Sequence, residues 1–247
     1  MREVIISGKG LRKAFGETVV LHDIDVEICA GDFTVVMGSS GSGKSTLLYA
    51  LSGMDRPGGG QVLYGDRDLA SAPEKELTRL RARDFGFVFQ RTHLIGNLTL
   101  YENIRIAGLI GDLPDKEVEL RADALVRRMG LEEAKDRLPS QVSGGEAQRA
   151  AVARAAIKKP SILFADEPTG ALNKANSEEV LELLSGLHEE GQSVLLVTHD
   201  KEAALRANRV LYLEDGAITG ELDLGTFGGK DKPREERLTA WLEGLGW

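Results

Sequence analysis

The run Gly38-Ser39-Ser40-Gly41-Ser42-Gly43-Lys44-Ser45 fits the pattern G-x-x-x-x-G-K-[S/T] in full. Its chemistry is phosphate binding. Glycines let the backbone curl so that successive N–H groups converge on one anion. A helix starting at Thr46 adds the partial positive charge of its N-terminus. Lys44 offers a full charge to the β- and γ-phosphates, and Ser45 offers a hydroxyl to Mg²⁺. A second feature lies downstream, where the apolar run Ile162-Leu163-Phe164-Ala165 leads into Asp166-Glu167. A buried strand ending in two carboxylates places them at the carboxyl edge of a parallel sheet, where ligands of such sheets bind. Asp166 is suited to hold Mg²⁺, directly or through water. Glu167 is suited to polarise an attacking water as general base.

A third feature precedes the acidic pair. Ser143-Gly144-Gly145-Glu146-Ala147-Gln148-Arg149 opens a helix of small residues. Ser143 stands where a cap would, and the glycines bare N–H groups at the helix start. Taken alone this is equally an ordinary N-capped helix. Beside the phosphate loop it reads as a second phosphate-binding device. One nucleotide has one γ-phosphate, so two devices in one chain point to a sandwich of two chains. The phosphate loop of one copy then faces Ser143–Gly145 of the other.

The elements that must position these residues are legible in outline. Val4–Ser7, Ile24–Ile28, Phe33–Met37, Gln61–Tyr64 and Phe85–Phe89 read as strands. Leu100–Ile110 and Lys116–Met129 carry apolar residues at helical spacing. The last third alternates: helix Gly145–Lys158, strand Ile162–Ala165, helix Asn176–Glu190, strand Val194–Thr198, helix Lys201–Ala207, strand Val210–Leu213. Buried strands alternating with helices imply a parallel sheet covered on both faces, an α/β fold. We expect one domain over 1–225, with a helical insert at about 91–158, and a C-terminal extension over 226–247. In that extension Gly225–Pro233 reads as loop. Leu238, Trp241, Leu242 and Leu245 then recur at helical spacing, as in a short amphipathic helix.

Composition narrows the partners. The formal net charge is -8 over 247 residues, an acidic balance that argues against a nucleic-acid binder. The lone Cys29 excludes an intrachain disulfide. No apolar run approaches the roughly 18–20 residues that span a bilayer, and Met1–Gly10 lacks the apolar core of a signal peptide. The expectation is a cytoplasmic chain that reaches a membrane only through a partner.

In order and spacing, these motifs resemble the nucleotide-binding subunits of ABC transporters over nearly the whole chain. The resemblance implies a P-loop NTPase core of mostly parallel sheet with flanking helices. It adds an N-terminal antiparallel β subdomain and a helical signature subdomain. It implies ATP and Mg²⁺ as ligands, ATP hydrolysis, an ATP-sandwich homodimer, and a permease that holds the chain at the cytoplasmic face of the membrane. It adds three site residues. Gln90, after Gly86-Phe87-Val88-Phe89, matches the glutamine that reaches Mg²⁺ and the attacking water. His199, in Val197-Thr198-His199-Asp200, matches the histidine that contacts the γ-phosphate. Phe15, in Lys13-Ala14-Phe15-Gly16, stands where an aromatic stacks on adenine, and it is equally a plain strand residue. Gln90 to Asn103 corresponds to the groove for a short helix of the permease.

Two positions depart from the family pattern. The signature ends in Glu146 rather than Gln, a variant similar to the lipoprotein-releasing and macrolide-exporter branch. The loop after Glu167 ends in Asn173, where Asp is usual; Asn keeps the hydrogen-bonding shape without the charge, so slowed hydrolysis is expected. The tail ending Trp241–Trp247 is similar to that of peptide-resistance members. A cell-division type of signalling motor from the same branch remains the alternative to transport. A DNA-repair or chromosome ATPase needs a long coiled coil between Lys44 and Ser143, and sustained heptads are absent there. Ribosome-acting members carry two cassettes, and this chain has one. A P-loop kinase or GTPase leaves Ser143 and His199 unexplained, and the chain lacks an Asn-Lys-x-Asp guanine reader.

Overall fold

The computed structural model describes residues 3–229 and 231–247. Met1, Arg2 and Lys230, which fall in the expected core domain and tail loop, lie outside them. The chain forms two compact units. One comprises the N-terminal stretch up to Leu77 together with Ser193–Trp247, and the other is Thr78–Gln192.

The first unit holds two sheets. One is antiparallel, in the order β2-β1-β4-β5. Its strands are β1 (Val4–Phe15), β2 (Thr18–Cys29), β4 (Gly59–Tyr64) and β5 (Arg67–Asp68). β1 and β2 run well beyond the expected Val4–Ser7 and Ile24–Ile28 and meet as a hairpin, with Phe15 opposite Thr18. Their outer halves are mostly exposed, with only Leu11 and Leu21 buried there, so the apolar pattern marked only the inner parts. In the other sheet β3 (Phe33–Met37) pairs in parallel with β8 (Ser193–Val197) and β9 (Arg209–Glu214). All of β3 and β8 is buried, as continuous apolar strands covered on both faces should be. β10 (Ala217–Asp223) adds an antiparallel strand beside β9. Its Gly, Asp and Glu weaken the strand signal, and it was not expected. The unit's helices are α1 (Lys44–Leu51), α7 (Lys201–Ala204) and α8 (Lys232–Gly244). α7 is shorter than expected. Pro233 sits in the first turn of α8, where a missing N–H does no harm, so helix replaces the end of the expected loop.

Between the units the chain runs through α2 (Glu74–Arg83), also unexpected. Its sequence is mostly charged, and only Leu77 and Leu80 mark a buried face. The second unit pairs β6 (Phe85–Phe89) in parallel with β7 (Ile162–Asp166). Four helices complete it: α3 (Leu100–Ile110), α4 (Asp115–Arg128), α5 (Gly144–Ala156) and α6 (Lys174–Glu189). The core of this unit is aromatic along the strands. Phe164 packs edge-on against Phe85 and face-on against Phe87, at ring distances of 5.3 and 5.4 Å. α5 is rich in alanine, and Ala150–Ala153 are fully buried, so its backbone lies close to β6.

That closeness is set at Gly86. A Cβ there would stand 2.4 Å from Leu163 Cδ2 and 2.5 Å from Ala155 O. Backbone cannot yield as a side-chain tip does. Gly86→Ala is expected to lower the unfolding free energy by about 1–3 kcal/mol, read as a lower urea midpoint at unchanged slope. An unchanged midpoint would contradict the close packing of α5 on β6.

Candidate functional site

In the first unit, β3 ends at Met37 and α1 begins at Lys44. The intervening loop is bent through positive φ at Gly38 (152°), Gly41 (84°) and Gly43 (102°). Two of these positions exclude any side chain by contact as well. A Cβ on Gly38 would lie 2.1 Å from Leu213 O, and one on Gly43 would lie 2.9 Å from Val20 O. Lys44 is buried, and its ammonium donates to Gly38 O at 2.8 Å and Ser39 O at 2.7 Å. The ammonium is thus folded back over the mouth of its own loop. Ser39, Ser40 and Gly41 are exposed, and Ser45 and Thr46 are half-buried in the first turn of α1. Gly43 is the N-cap of α1, so no side chain caps that helix.

One polar atom here asks for a ligand. Ser42 Oγ is buried without a hydrogen-bond partner. An orphaned hydroxyl costs about 1–3 kcal/mol unless something pairs with it. A hydroxyl, an ammonium and an uncapped helix N-terminus together suit an anion with several acceptor oxygens. The same unit carries the two remaining residues of its half of the candidate set. Phe15 closes β1, is about half exposed (55%), and lies under the Lys13 ammonium at 5.1 Å. His199 is exposed between β8 and α7, flanked by Thr198, whose hydroxyl accepts from Asp200 N at 3.0 Å.

In the second unit, strand register brings three residues to one edge. Asp166 ends β7 opposite Phe89, the last residue of β6, so Gln90 emerges beside it. Gly170 packs so closely that a Cβ would stand 2.9 Å from Gln90 Nε2. Between them Glu167 takes φ 45°, and its carbonyl accepts from Gly170 N at 3.0 Å. A left-handed glutamate costs of order 1–3 kcal/mol and persists where the surroundings over-determine it, commonly at functional sites.

The Ser143 element is a capping box at the head of α5. Ser143 Oγ and Ser143 N both donate to Glu146 Oε2 at 2.7 Å, and Glu146 N donates to Ser143 Oγ at 3.2 Å. The Ser143 hydroxyl, then its N–H, hold the Glu146 carboxyl below the usual carboxylate range. Gly145 is buried against Asn176, where a Cβ would meet Asn176 Cγ at 2.6 Å. Asn173 caps α6, accepting from Asn176 N at 2.9 Å.

Two further residues of α5 fix the surroundings of Gln90. Gln148, nearly fully buried, donates to Phe89 O at 2.9 Å. Arg154 donates to Thr92 O at 2.8 Å and His93 O at 2.6 Å, and burial pulls its pKa down. The two tether the chain on both sides of Gln90. Sequence reasoning quoted Gln148 only as part of the motif and missed Arg154. The available signal was an arginine alone among the alanines of a buried helix.

The profile of the ABC transporter family matches residues 21–170. Over 222 residues the chain is 40% identical to the macrolide export ATP-binding/permease protein MacB 2 of Aeromonas hydrophila subsp. hydrophila, covering 88% of this chain and 34% of that protein. It is 41% identical to the pyoverdine export ATP-binding/permease protein PvdT of Pseudomonas syringae pv. tomato, over 92% of this chain and 36% of that protein. The chain thus spans about a third of the length of the curated relatives it matches. Among solved structures, the dimeric ATP-binding cassette MJ0796, in a post-hydrolysis state bound to ADP and Pi, superposes with a TM-score of 0.82. It shares 35% identity, over 90% of this chain and 100% of that one. No helix among the described residues is long and apolar enough to cross a membrane.

The Glu146 contact carries a pH dependence of known sign. A carboxyl whose folded value is depressed contributes its stabilisation in full above the ordinary value of 4.5, and loses it as pH falls through the lower folded value. Below pH 4.5 the Ser143 and Glu146 amide resonances should move together, toward those of an uncapped helix. Glu146→Gln keeps a box-competent side chain that does not titrate, so its resonances should stay in place over the same range. A wild-type trace that stays flat until the chain itself unfolds in acid would contradict the capping role.

Proposed function

Because the chain belongs to the ABC transporter family, we propose that it is the ATP-hydrolysing motor of an exporter, acting as a sandwich of two copies. The observation that carries this reading is the phosphate loop, with its buried Lys44, its orphaned Ser42 hydroxyl and its uncapped helix start. Gly38, Ser39, Ser40, Gly41, Ser42, Gly43, Lys44, Ser45 and Thr46 hold the phosphates of ATP, and Phe15 offers a ring to the adenine. Ser45, Gln90 and Asp166 hold Mg²⁺; a hydroxyl, an amide and a carboxylate are the oxygen donors a hard cation takes. When bound by these residues, Mg²⁺ would supply positive charge to offset that of the phosphoryl group.

Glu167 takes the proton of the attacking water as general base, a reading that its left-handed backbone supports. His199 contacts the γ-phosphate. Ser143, Gly144, Gly145 and Glu146 of the second copy cap the same phosphate, because their helix start is exposed at Ser143 and Gly144. The segment from Gln90 to Asn103 receives a cytoplasmic helix of a permease, and α5 moves it through Gln148 and Arg154. The chain then sits peripherally at the cytoplasmic face of the membrane. The substrates handled by the permease are macrolide-like, peptide-like or lipoprotein-like molecules, and the macrolide and pyoverdine export relatives support an export role. Residues 1–225 form the ATPase domain, its helical insert at about 91–158, and 226–247 form an added C-terminal extension.

Two substitutions test this reading. Glu167→Gln removes the base and keeps the shape, so turnover should fall by about 10²–10⁴-fold. With excess ATP and Mg²⁺ the variant should accumulate as a dimer in analytical ultracentrifugation; a chain that stays monomeric there would overturn the sandwich. Asn173→Asp keeps the cap of α6, since Asn and Asp cap equally well. It should raise turnover several-fold at unchanged thermal midpoint, and unchanged turnover would sink the idea that Asn173 slows hydrolysis.

A further inference from the structure

We propose that Arg234, in the C-terminal helix α8, is a positioning residue for His199. The proposal rests on the reading of His199 as the γ-phosphate contact, and it concerns what holds that histidine in place.

His199 stands just before α7, a helix of four residues, Lys201–Ala204. One turn of helix has no stability of its own, because nucleation fixes several residues for a single hydrogen bond. Something must hold both of its ends. At the N-terminus Asp200 accepts from Glu202 N at 2.8 Å. At the C-terminus the N–H groups of Leu205, Arg206 and Ala207 donate to the carbonyls of Lys201, Ala203 and Ala204, and Arg234 holds the segment that supplies these donors. Its Nε donates to Leu205 O at 2.6 Å and its Nη2 to Ala207 O. Nη1 donates to Leu224 O at 3.0 Å, with longer contacts to Gly225 O and Thr226 O at 3.4 Å each. Arg234 is 8% exposed as a residue, and these carbonyls replace the hydration of its guanidinium. A planar fork of five donors suits this task, and a lysine could not reproduce it.

Other contacts make α8 a firm anchor for that arginine. Leu238 and Leu242 are fully buried. Trp241 meets Tyr212 edge-on at 6.3 Å. Gly220 of β10 lets the helix close in, since a Cβ there would lie 2.9 Å from Trp241 and 3.0 Å from Leu245. Phe227 lies near both Arg206 and Arg234, at 5.5 and 5.4 Å. Lys201 of α7 pairs with Glu235 of α8 at 3.5 Å. Thus α8 holds α7 at its first residue, through Lys201, and just past its end, at Leu205 and Ala207. Position passes from α8 to α7, and from the Asp200 cap to the adjoining His199.

The test uses the full chain carrying Arg234→Met, which keeps the length and removes every donor. The chain has four histidines, so imidazole NMR resolves each ring, with His199→Asn to assign one of them. The His199 signals should shift or broaden, while those of His93 and His188 in the other unit stay in place. In steady-state ATP hydrolysis kcat should fall by on the order of 10-fold, as slight misplacement of a reacting group does, with KM for ATP within about twofold because the phosphate loop is untouched. Superimposable His199 signals in the variant would overturn the proposal, as would kcat and KM moving together. If the wild-type chain hydrolyses no ATP, the reading of His199 fails, yet the spectra still decide whether Arg234 positions it. Should Arg234→Met not fold, Glu235→Gln breaks only the exposed ion pair. It should shift the same His199 signals less, and no shift at all would count against the clamp.

Discussion

A buried ammonium is the constraint on which the rest of the nucleotide-binding half depends. Lys44 is 7% exposed and donates to two carbonyls of the loop it terminates. A cation out of water must be surrounded by acceptors, and here the acceptors are backbone. For Gly38 O and Ser39 O to point inward, the loop has to double back within a few residues. That curvature needs positive φ at Gly38 and Gly43, where neighbouring backbone leaves no room for a Cβ. The curl needs a rigid start, which the fully buried β3 provides, and a rigid end, which α1 provides. The sequence G-x-x-x-x-G-K-[S/T] records the solution of one packing problem, and phosphate affinity follows from it.

The parts of this protein that could be read from the chain were those whose cause is local. The phosphate loop was legible because its glycines, lysine and serine are contiguous. Asp166 and Glu167 were legible because an apolar strand runs straight into them. Ser143 was legible as a cap because Glu146 follows at the spacing of a capping box. What the sequence hid has causes far away along the chain. Arg154 holds Thr92 and His93, and Arg234 holds Leu205 and Ala207. Nothing near Arg234 distinguishes it from a solvated charge, and at Arg154 the one local signal is its place among buried alanines. α2 was hidden because two leucines among charges carry little periodicity, and β10 because edge strands tolerate residues that central strands exclude. Gln90 and His199 came only from resemblance; at Gln90 the register of β6 on β7 supplies a physical reason, by setting it beside Asp166.

Helix α5 shows how one element serves two tasks. Its first turn is the exposed capping box, and its body is buried among alanines. Small side chains let the backbone approach β6, and the approach brings two long polar side chains within reach of the strand's end. Gln148 takes the carbonyl of the last strand residue, and Arg154 takes the two carbonyls beyond Gln90. The loop cannot shift relative to α5 without breaking hydrogen bonds made by a buried amide and a largely buried guanidinium. Left unpaired, such groups cost the full desolvation penalty, about 1–3 kcal/mol each and more for the charged one. The head of α5 and the Gln90 loop are therefore held as one body. In the proposed motor, a displacement imposed at Ser143 by a second copy would arrive at the permease-facing segment undiminished.

The two departures from the family pattern exchange charge while keeping geometry. Glu146 fills the third position of a capping box, a place that glutamine occupies equally well. Asn173 caps α6, and aspartate would cap it as well. Neither substitution changes a backbone path, so the fold places no demand on the charge at either position. Local structure therefore offers no reason for a carboxylate at 146 or for its absence at 173, and the reason must lie in what approaches these residues. In the proposed sandwich the approaching group is a polyanion. A carboxylate beside Ser143 opposes it, and its hold on the Ser143 hydroxyl has to be released before that hydroxyl can serve a phosphate. A neutral residue at 173 removes a negative charge from the loop that follows Glu167, the proposed general base. In the proposed sandwich both changes act on the electrostatics of closure and turnover, and at Glu146 the charge also adds the pH-dependent stabilisation of its cap.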